Sequence, residues 1–238
     1  MPVGNANERP CSVPTHMGGT AMLISPARKI HNRGLVRIVG LFTSARLGLQ
    51  MPFESQLERD LLIHLEANLG VQHFETQPQS FQYIDADQTV RTYTPDVLIH
   101  WVDSDRLPTL IEVKPFEKTQ TPEFRVWEEL IRRYFGWLGF EFRVVTEREI
   151  QTDELYKLRQ LLPYSRHGVS VFNRTTAAAV LQLAGGVLSA QVLASRLNPQ
   201  GLDLGHVLAL LFYGQLQANW VTTSLLNLPV SLAGGSHE

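Results

Sequence analysis

The run Thr109-Leu110-Ile111-Glu112-Val113-Lys114 sets a carboxylate and an ammonium two residues apart in an otherwise apolar stretch. In a β-strand that spacing puts Glu112 and Lys114 on one face, about 6.6 Å apart along the chain, with Ile111 and Val113 on the other. Upstream, Tyr93-Thr94-Pro95-Asp96-Val97-Leu98-Ile99 places a single carboxylate at the entry of a second apolar run. A hairpin joining the two strands brings Asp96 beside Glu112. A third acid, Glu58, falls on the helical face that also carries Leu61, Leu62 and Leu65. Three carboxylates and a lysine around a small cleft suit metal-assisted hydrolysis of a phosphodiester. Carboxylate oxygens hold Mg²⁺, with Mn²⁺ as a substitute, and the ion polarises the phosphate and acidifies bound water. Lys114 suits either positioning or deprotonating that water, or offsetting charge on the phosphorus.

Each residue also has a plainer reading. Ser55-Gln56-Leu57-Glu58 fits a capping box, in which Glu58 reaches back to the backbone at the helix start. Glu112 and Lys114 fit a same-face ion pair on an edge strand, an arrangement worth little energy. Asp96 after Pro95 fits a strand opening. Singly these hold their own; together, in order and with the helix upstream, the four residues favour the catalytic reading. His64 and His73 lack companion ligands at metal-binding spacing and read as surface or packing residues. No glycine-rich phosphate loop or Gly-x-Ser-x-Gly elbow is present, which argues against an ATPase or a serine hydrolase.

The elements that must position these groups are legible from periodicity. Leu57, Leu61, Leu62, Leu65 and Leu69 recur at helical spacing and stop at Gly70. Residues 74–84, 91–101 and 109–115 read as successive strands, the last two forming a hairpin. Thr121 caps a second helix with Pro122 at its first position, and Phe124, Trp127, Leu130, Ile131, Tyr134, Phe135 and Leu138 supply its apolar face. Residues 140–146 return to strand. The order αβββαβ predicts a mixed-sheet α/β domain over residues 50–165. Beyond it, residues 177–183, 190–197 and 204–213 read as short helices and 218–228 as a hairpin, which predicts a small helical, winged-helix-like domain over 171–238.

With 238 residues, 44% hydrophobic and 18% charged, the chain has material for one or two domains with a real core. A net charge of −2 excludes a uniformly basic nucleic-acid binder, but the charge is unevenly spread. Residues 9–53 carry six basic side chains and no acid, 54–170 carry 13 basic and 20 acidic, and the tail is almost uncharged. Residues 1–27 read as an unpacked leader, with Met1 and Met22 both open as the natural start. Residues 28–49 read as a basic arm whose Arg28, Lys29, Arg33 and Arg37 suit contact with a phosphate backbone. The candidate recognition helix of the tail, 203–213, has no lysine or arginine, so the tail is expected to bind protein. Its dense apolar residues are expected to leave a patch exposed or covered by a partner, unless the tail packs on the nuclease domain or forms a tight core of its own. A single cysteine, Cys11, excludes a disulfide scaffold. No signal peptide and no run of about 18 apolar residues is present, so a cytoplasmic protein without membrane attachment is expected.

The Pro95-Asp96 and Glu112-Val113-Lys114 pattern resembles the PD-(D/E)xK nuclease superfamily, whose restriction-endonuclease-like core has the same αβββαβ order. More narrowly, Glu54 to Asp60, Gln77-Pro78, Tyr93 to Asp96, Leu110 to Pro115, Arg132-Arg133-Tyr134 and Phe142 to Glu147 resemble the TnsA family. That family comprises endonuclease subunits of heteromeric cut-and-paste transposases. The resemblance implies Asp96 and Glu112 as central metal ligands, Glu58 as the helix-borne acid and Lys114 as the catalytic lysine. Family members vary at the position of Glu112, some having Gln. The resemblance further implies double-stranded DNA as substrate, cut at the 5′ ends of a transposon. Implied partners are a DDE-type transposase and an AAA+ ATPase regulator that engages the C-terminal domain. Two other readings remain: a restriction- or repair-type nuclease that needs no partner, and a non-catalytic DNA-binding adaptor.

Overall fold

The computed structural model describes residues 40–85, 87–220 and 224–233. The leader and Arg28, Lys29, Arg33 and Arg37 lie outside the described residues. The chain opens with an antiparallel hairpin of β1 (Gly40–Ser44) and β2 (Leu49–Phe53), which turns Phe42, Met51 and Phe53 inward. The stretch expected as a basic arm, 28–49, is therefore a paired strand from Gly40 onward, with a partner the sequence did not reveal.

Helix α1 (Gln56–Ala67) starts where Ser55 accepts the Glu58 N–H at 3.1 Å. Leu61, Leu62, Ile63 and Leu65 are buried, while Leu69 lies past the helix end and is exposed. Two buried acids fix this helix. Asp60 accepts from Arg159 at 2.6 Å. Glu66 accepts from Ser44 Oγ at 2.6 Å, from the Arg46 amide at 2.9 Å and from the Tyr213 hydroxyl at 3.4 Å. The Arg46 guanidinium in turn donates to the carbonyls of Leu65 and Val71. Buried charges bonded at several points in this way favour one placement of the helix, because moving it would strand them away from water.

The chain continues through β3 (Val71–Thr76), β4 (Phe81–Ile84), β5 (Val90–Tyr93), β6 (Val97–Trp101), β7 (Thr109–Val113), α2 (Phe116–Thr119), α3 (Pro122–Trp137) and β8 (Glu141–Val145). The main sheet has the order β3-β6-β7-β8, antiparallel except for the β7–β8 pair, whose crossover is α2 and α3. Alternation sorts its side chains. Val97, Ile99, Ile111 and Val113 join the core that includes α1, while Leu98, Leu110 and Phe142 join Ile131 and Phe135 of α3. Fully burying a side chain of that size contributes about 1.5–3 kcal/mol, so Ile131 and Phe135 suffice to clamp α3 onto the sheet.

The expected strands 74–84 and 91–101 are each two strands. Gln77 takes φ 48° and is followed by Pro78, and Pro95 interrupts the return. A proline has no N–H for the ladder, and the outer pieces β4 and β5 peel off to pair only with each other, Phe81 opposite Tyr93. The expected αβββαβ order is thus realised as a mixed α/β core with an extra hairpin.

After β8 come α4 (Glu147–Ile150), α5 (Asp153–Leu161) and a 3₁₀ segment, Leu162–His167, none of which the sequence reading assigned. The tail is α6 (Val171–Leu183), β9 (Val187–Ser189), α7 (Ala190–Leu197), α8 (Leu204–Phe212), β10 (Leu216–Ala218) and β11 (Pro229–Leu232). Its sheet has the order β10-β11-β9, antiparallel throughout. The hairpin expected at 218–228 is displaced outward, to 216–218 and 229–232, where Leu216 and Val230 point into the core. An apolar patch on the helix at 204–213 is also not found. Val207 to Tyr213 are buried, covered by α7, α5 and the 3₁₀ segment. The exposed large apolar residues of the tail are scattered instead over α6, at Val171, Phe172 and Leu183, and elsewhere at Val187, Val192 and Leu226. Among the described residues no helix is long and apolar enough to cross a membrane.

Candidate active site

The start of β6 and the end of β7 lie side by side, and the first turn of α1 approaches them. Between these elements is a cleft of about 380 Å³ lined by Glu54, Glu58, Asp96, Lys114 and Lys118. Asp96 is held by its backbone on both sides: its N–H donates to Ile111 at 3.0 Å, and its carbonyl accepts from Gln77 at 2.9 Å. Its Oδ2 accepts the Val113 N–H at 2.7 Å. Glu112 is buried on the neighbouring strand. Its Oε2 accepts from the Tyr93 hydroxyl at 2.6 Å, and its Oε1 pairs with Lys114 Nζ. The structure therefore brings Asp96, Glu112 and Lys114 together, with Glu58 on the same cleft.

The charges are poorly matched. Burial, then the Glu112 carboxylate, pushes the Asp96 carboxyl up to about 8; Glu58 adds to the rise, while the Val113 amide and Lys114 oppose it. Burial also raises Glu58. For Lys114, loss of water disfavours the charge, but Glu112, Asp96 and Glu58 outweigh it and hold the ammonium above its ordinary range. Tyr93 is raised well above its usual value by burial and by the Glu112 charge, so its hydroxyl remains a donor. Asp96, Glu112 and Glu58 all draw on Lys114, and even with Lys118 also lining the cleft acids outnumber cations there, the environment that a hard divalent cation relieves. The donor set, all carboxylate oxygen, fits Mg²⁺ or Mn²⁺.

Residues 68–147 match the family model described as TnsA-like endonuclease N terminal. The chain carries a TnsA-like endonuclease domain. The matched part takes in β3 to β8 and so includes Tyr93, Asp96, Glu112 and Lys114. Glu58 lies ahead of it, and the tail lies beyond. No curated protein matches the chain.

Glu58, ahead of the matched residues, keeps both of its readings. Its carboxylate accepts the Glu54 N–H at 2.8 Å and the Ser55 hydroxyl at 2.9 Å, so it caps α1 while facing the cleft. Glu58→Gln separates the two, since the amide oxygen still accepts from Glu54. If Glu58 serves the cleft, this variant melts like the wild type without cation and loses about tenfold or more in nicking rate; unchanged nicking leaves Glu58 as a cap alone.

The sequence reading assigned no role to Tyr93, Glu54 or Lys118. Tyr93 and Glu54 stand inside the quoted motif segments, but nothing in their spacing shows that a separate strand pair carries Tyr93 over Glu112. His64 and His73 behave as expected: His64 Nε2 meets the Ile150 carbonyl at 2.8 Å, and His73 faces His100. One group went unnoticed. Among the described residues, the three ligand-type side chains whose donor atoms all lie within 4.8 Å of one another are His167, Asp203 and His206, not the acids of the cleft. Asp203 and His206 form the capping box of α8, which accounts for two of the three. In the cleft, Lys114 stands against Glu112 and Glu58 is turned to its own helix start.

Proposed function

We propose that this protein is a metal-dependent DNA endonuclease acting as the TnsA-like subunit of a heteromeric transposase, cutting at the 5′ ends of the element. The observation that carries it is the placement of Asp96 and Lys114 on one cleft of a TnsA-like domain, with Glu112 buried beside them against Lys114 and Asp96 driven toward neutrality by burial and by the Glu112 carboxylate. Asp96, Glu112 and Glu58 are the residues that would hold Mg²⁺, with Mn²⁺ as substitute. The bound ion supplies a Lewis acid for the phosphate and a water acidified for attack. Lys114, kept cationic by its three acids, serves to hold the scissile phosphate and offset its charge rather than to take a proton.

The acid-rich site repels the DNA backbone that it must cut. Arg28, Lys29, Arg33 and Arg37 are suited to gripping flanking phosphates, a reading that rests on their charge alone. In the tail the order αβααββ with one antiparallel three-stranded sheet supports a winged-helix-like domain. Burial of its α8 and the presence of only Arg174 and Arg196 as fixed cations speak against duplex DNA there; a protein partner, an AAA+ regulator, is a reading that rests on the family resemblance alone. A DNA substrate and the single cysteine support a cytoplasmic location.

The test is nicking of end-containing DNA in Mg²⁺, with and without a DDE-type transposase partner. Nicks at the 5′ ends that require the transposase are expected. Efficient cleavage without it supports a restriction- or repair-type nuclease instead. No cleavage in either arm, with Mg²⁺ or Mn²⁺, supports the non-catalytic adaptor.

A further inference from the structure

Glu112 has two carboxylate oxygens, and they have different neighbours. Oε2 is taken by the Tyr93 hydroxyl at 2.6 Å; Oε1 is on the side of Lys114, which lines the cleft. Tyr93 is not free to drift. Its backbone is paired to Phe81 in the β4–β5 ladder, and its ring lies among Trp127, Phe135 and Phe142 at centroid distances of 5.4, 6.0 and 6.3 Å. Packing alone asks only for the ring. The hydroxyl adds one thing, a fixed donor to one chosen oxygen of a buried acid.

We propose that Tyr93 is a positioning residue that restricts Glu112 to a single oxygen donor, Oε1, and thereby sets the cleft's preference for a small divalent cation over a large one. The inference rests on the reading of Asp96 and Glu112 as cation ligands. Its physical basis is the difference between Mg²⁺ and Ca²⁺. Mg²⁺ demands a compact octahedron with one oxygen from each carboxylate, whereas Ca²⁺ takes six to eight oxygens and readily accepts both from one carboxylate. A glutamate whose Oε2 already accepts from a tyrosine offers that oxygen less readily than Oε1. Groups that orient a ligating side chain in this way commonly govern affinity by about tenfold or more.

Calorimetric titration of the full chain with Mg²⁺ and, separately, with Ca²⁺ tests this, using wild type, Tyr93→Phe, Asp96→Asn, Glu112→Gln and the Tyr93→Phe/Glu112→Gln double variant. Phenylalanine keeps the ring contacts, and thermal unfolding without cation verifies the fold of each variant. In Tyr93→Phe the ratio of Mg²⁺ to Ca²⁺ affinity should fall by about tenfold, because Mg²⁺ loses an oriented ligand while Ca²⁺ gains a second oxygen. In the Glu112→Gln background, where no carboxylate remains to be oriented, the same change should leave the ratio where Glu112→Gln alone puts it. If Tyr93 merely satisfies a buried acid, both affinities fall together and the ratio stands still, which overturns the inference. A shift of equal size in the Glu112→Gln background overturns it as well. A wild-type protein whose cation binding is absent, or is untouched by Asp96→Asn, sinks the underlying site reading itself, an outcome distinct from an unchanged ratio.

Discussion

Asp96→Asn should reduce nicking by about a thousandfold or more, since a cation at a phosphoryl centre is worth several kcal/mol of barrier lowering, and should at the same time stabilise the cation-free protein at alkaline pH. The second effect follows from linkage. The carboxyl sits near 3.8 when exposed and is pushed up to about 8 in the fold, chiefly by burial and by Glu112. A group whose folded value is raised holds its proton more tightly in the native state. Its contribution to stability is complete below about 3.8 and is lost as pH rises through about 8. Wild-type protein without cation should therefore melt progressively lower between mildly acidic and alkaline pH, and Asp96→Asn should flatten that decline. Mg²⁺ should recover the alkaline loss in wild type and do nothing for the variant. Differential scanning calorimetry across pH, with and without Mg²⁺, checks both halves. A variant that nicks normally, or that melts with the wild-type pH slope, removes Asp96 from the site.

Lys114→Ala should cost about a hundredfold to a thousandfold in rate, the usual loss on removing one oriented group that meets developing charge. Cation affinity should hold or rise, because the ammonium that now faces Glu112 Oε1 is gone. Lys114 lowers the Asp96 value, so its loss should move the rise of the pH–rate profile to more alkaline pH. Lys114→Arg is the informative companion. Arginine stays charged and cannot act as a base, so partial recovery of rate by Lys114→Arg supports charge compensation. A variant as slow as Lys114→Ala assigns the lysine to proton transfer instead.

Which parts of this were legible in the sequence depended on whether a signal was local. Helix α1, helix α3 and strands β7 and β8 rest on periodicity and caps, Thr121 with Pro122 among them, and stand where those signals put them. The 74–84 and 91–101 runs misled because Phe74, Phe81 and Tyr83, or Tyr93, Val97 and Ile99, continue an apolar pattern across Pro78 and Pro95. The prolines were the stronger signal, since each removes a ladder donor. Asp96, Glu112 and Lys114 came together because a hairpin and a period of two suffice to place them. Tyr93 did not, because its contact depends on a strand pair leaving the main sheet. The misjudged α8 has the same kind of cause. A helix apolar on every side is a buried helix, but what buries it includes residues 162–167 and α5, whose Thr152 cap and Leu155, Leu158 and Leu161 at helical spacing the sequence offered without saying what they pack on.

The central claim is that the cleft between α1, β6 and β7 holds a divalent cation on Asp96 and Glu112. Crystals grown with Mn²⁺, with anomalous diffraction recorded at the manganese edge, test it most directly. The account predicts a peak in the cleft within ligating distance of Asp96 and of Glu112 Oε1, with Lys114 displaced from that oxygen. A map with no peak there, or with manganese only at His167, Asp203 and His206, would contradict it.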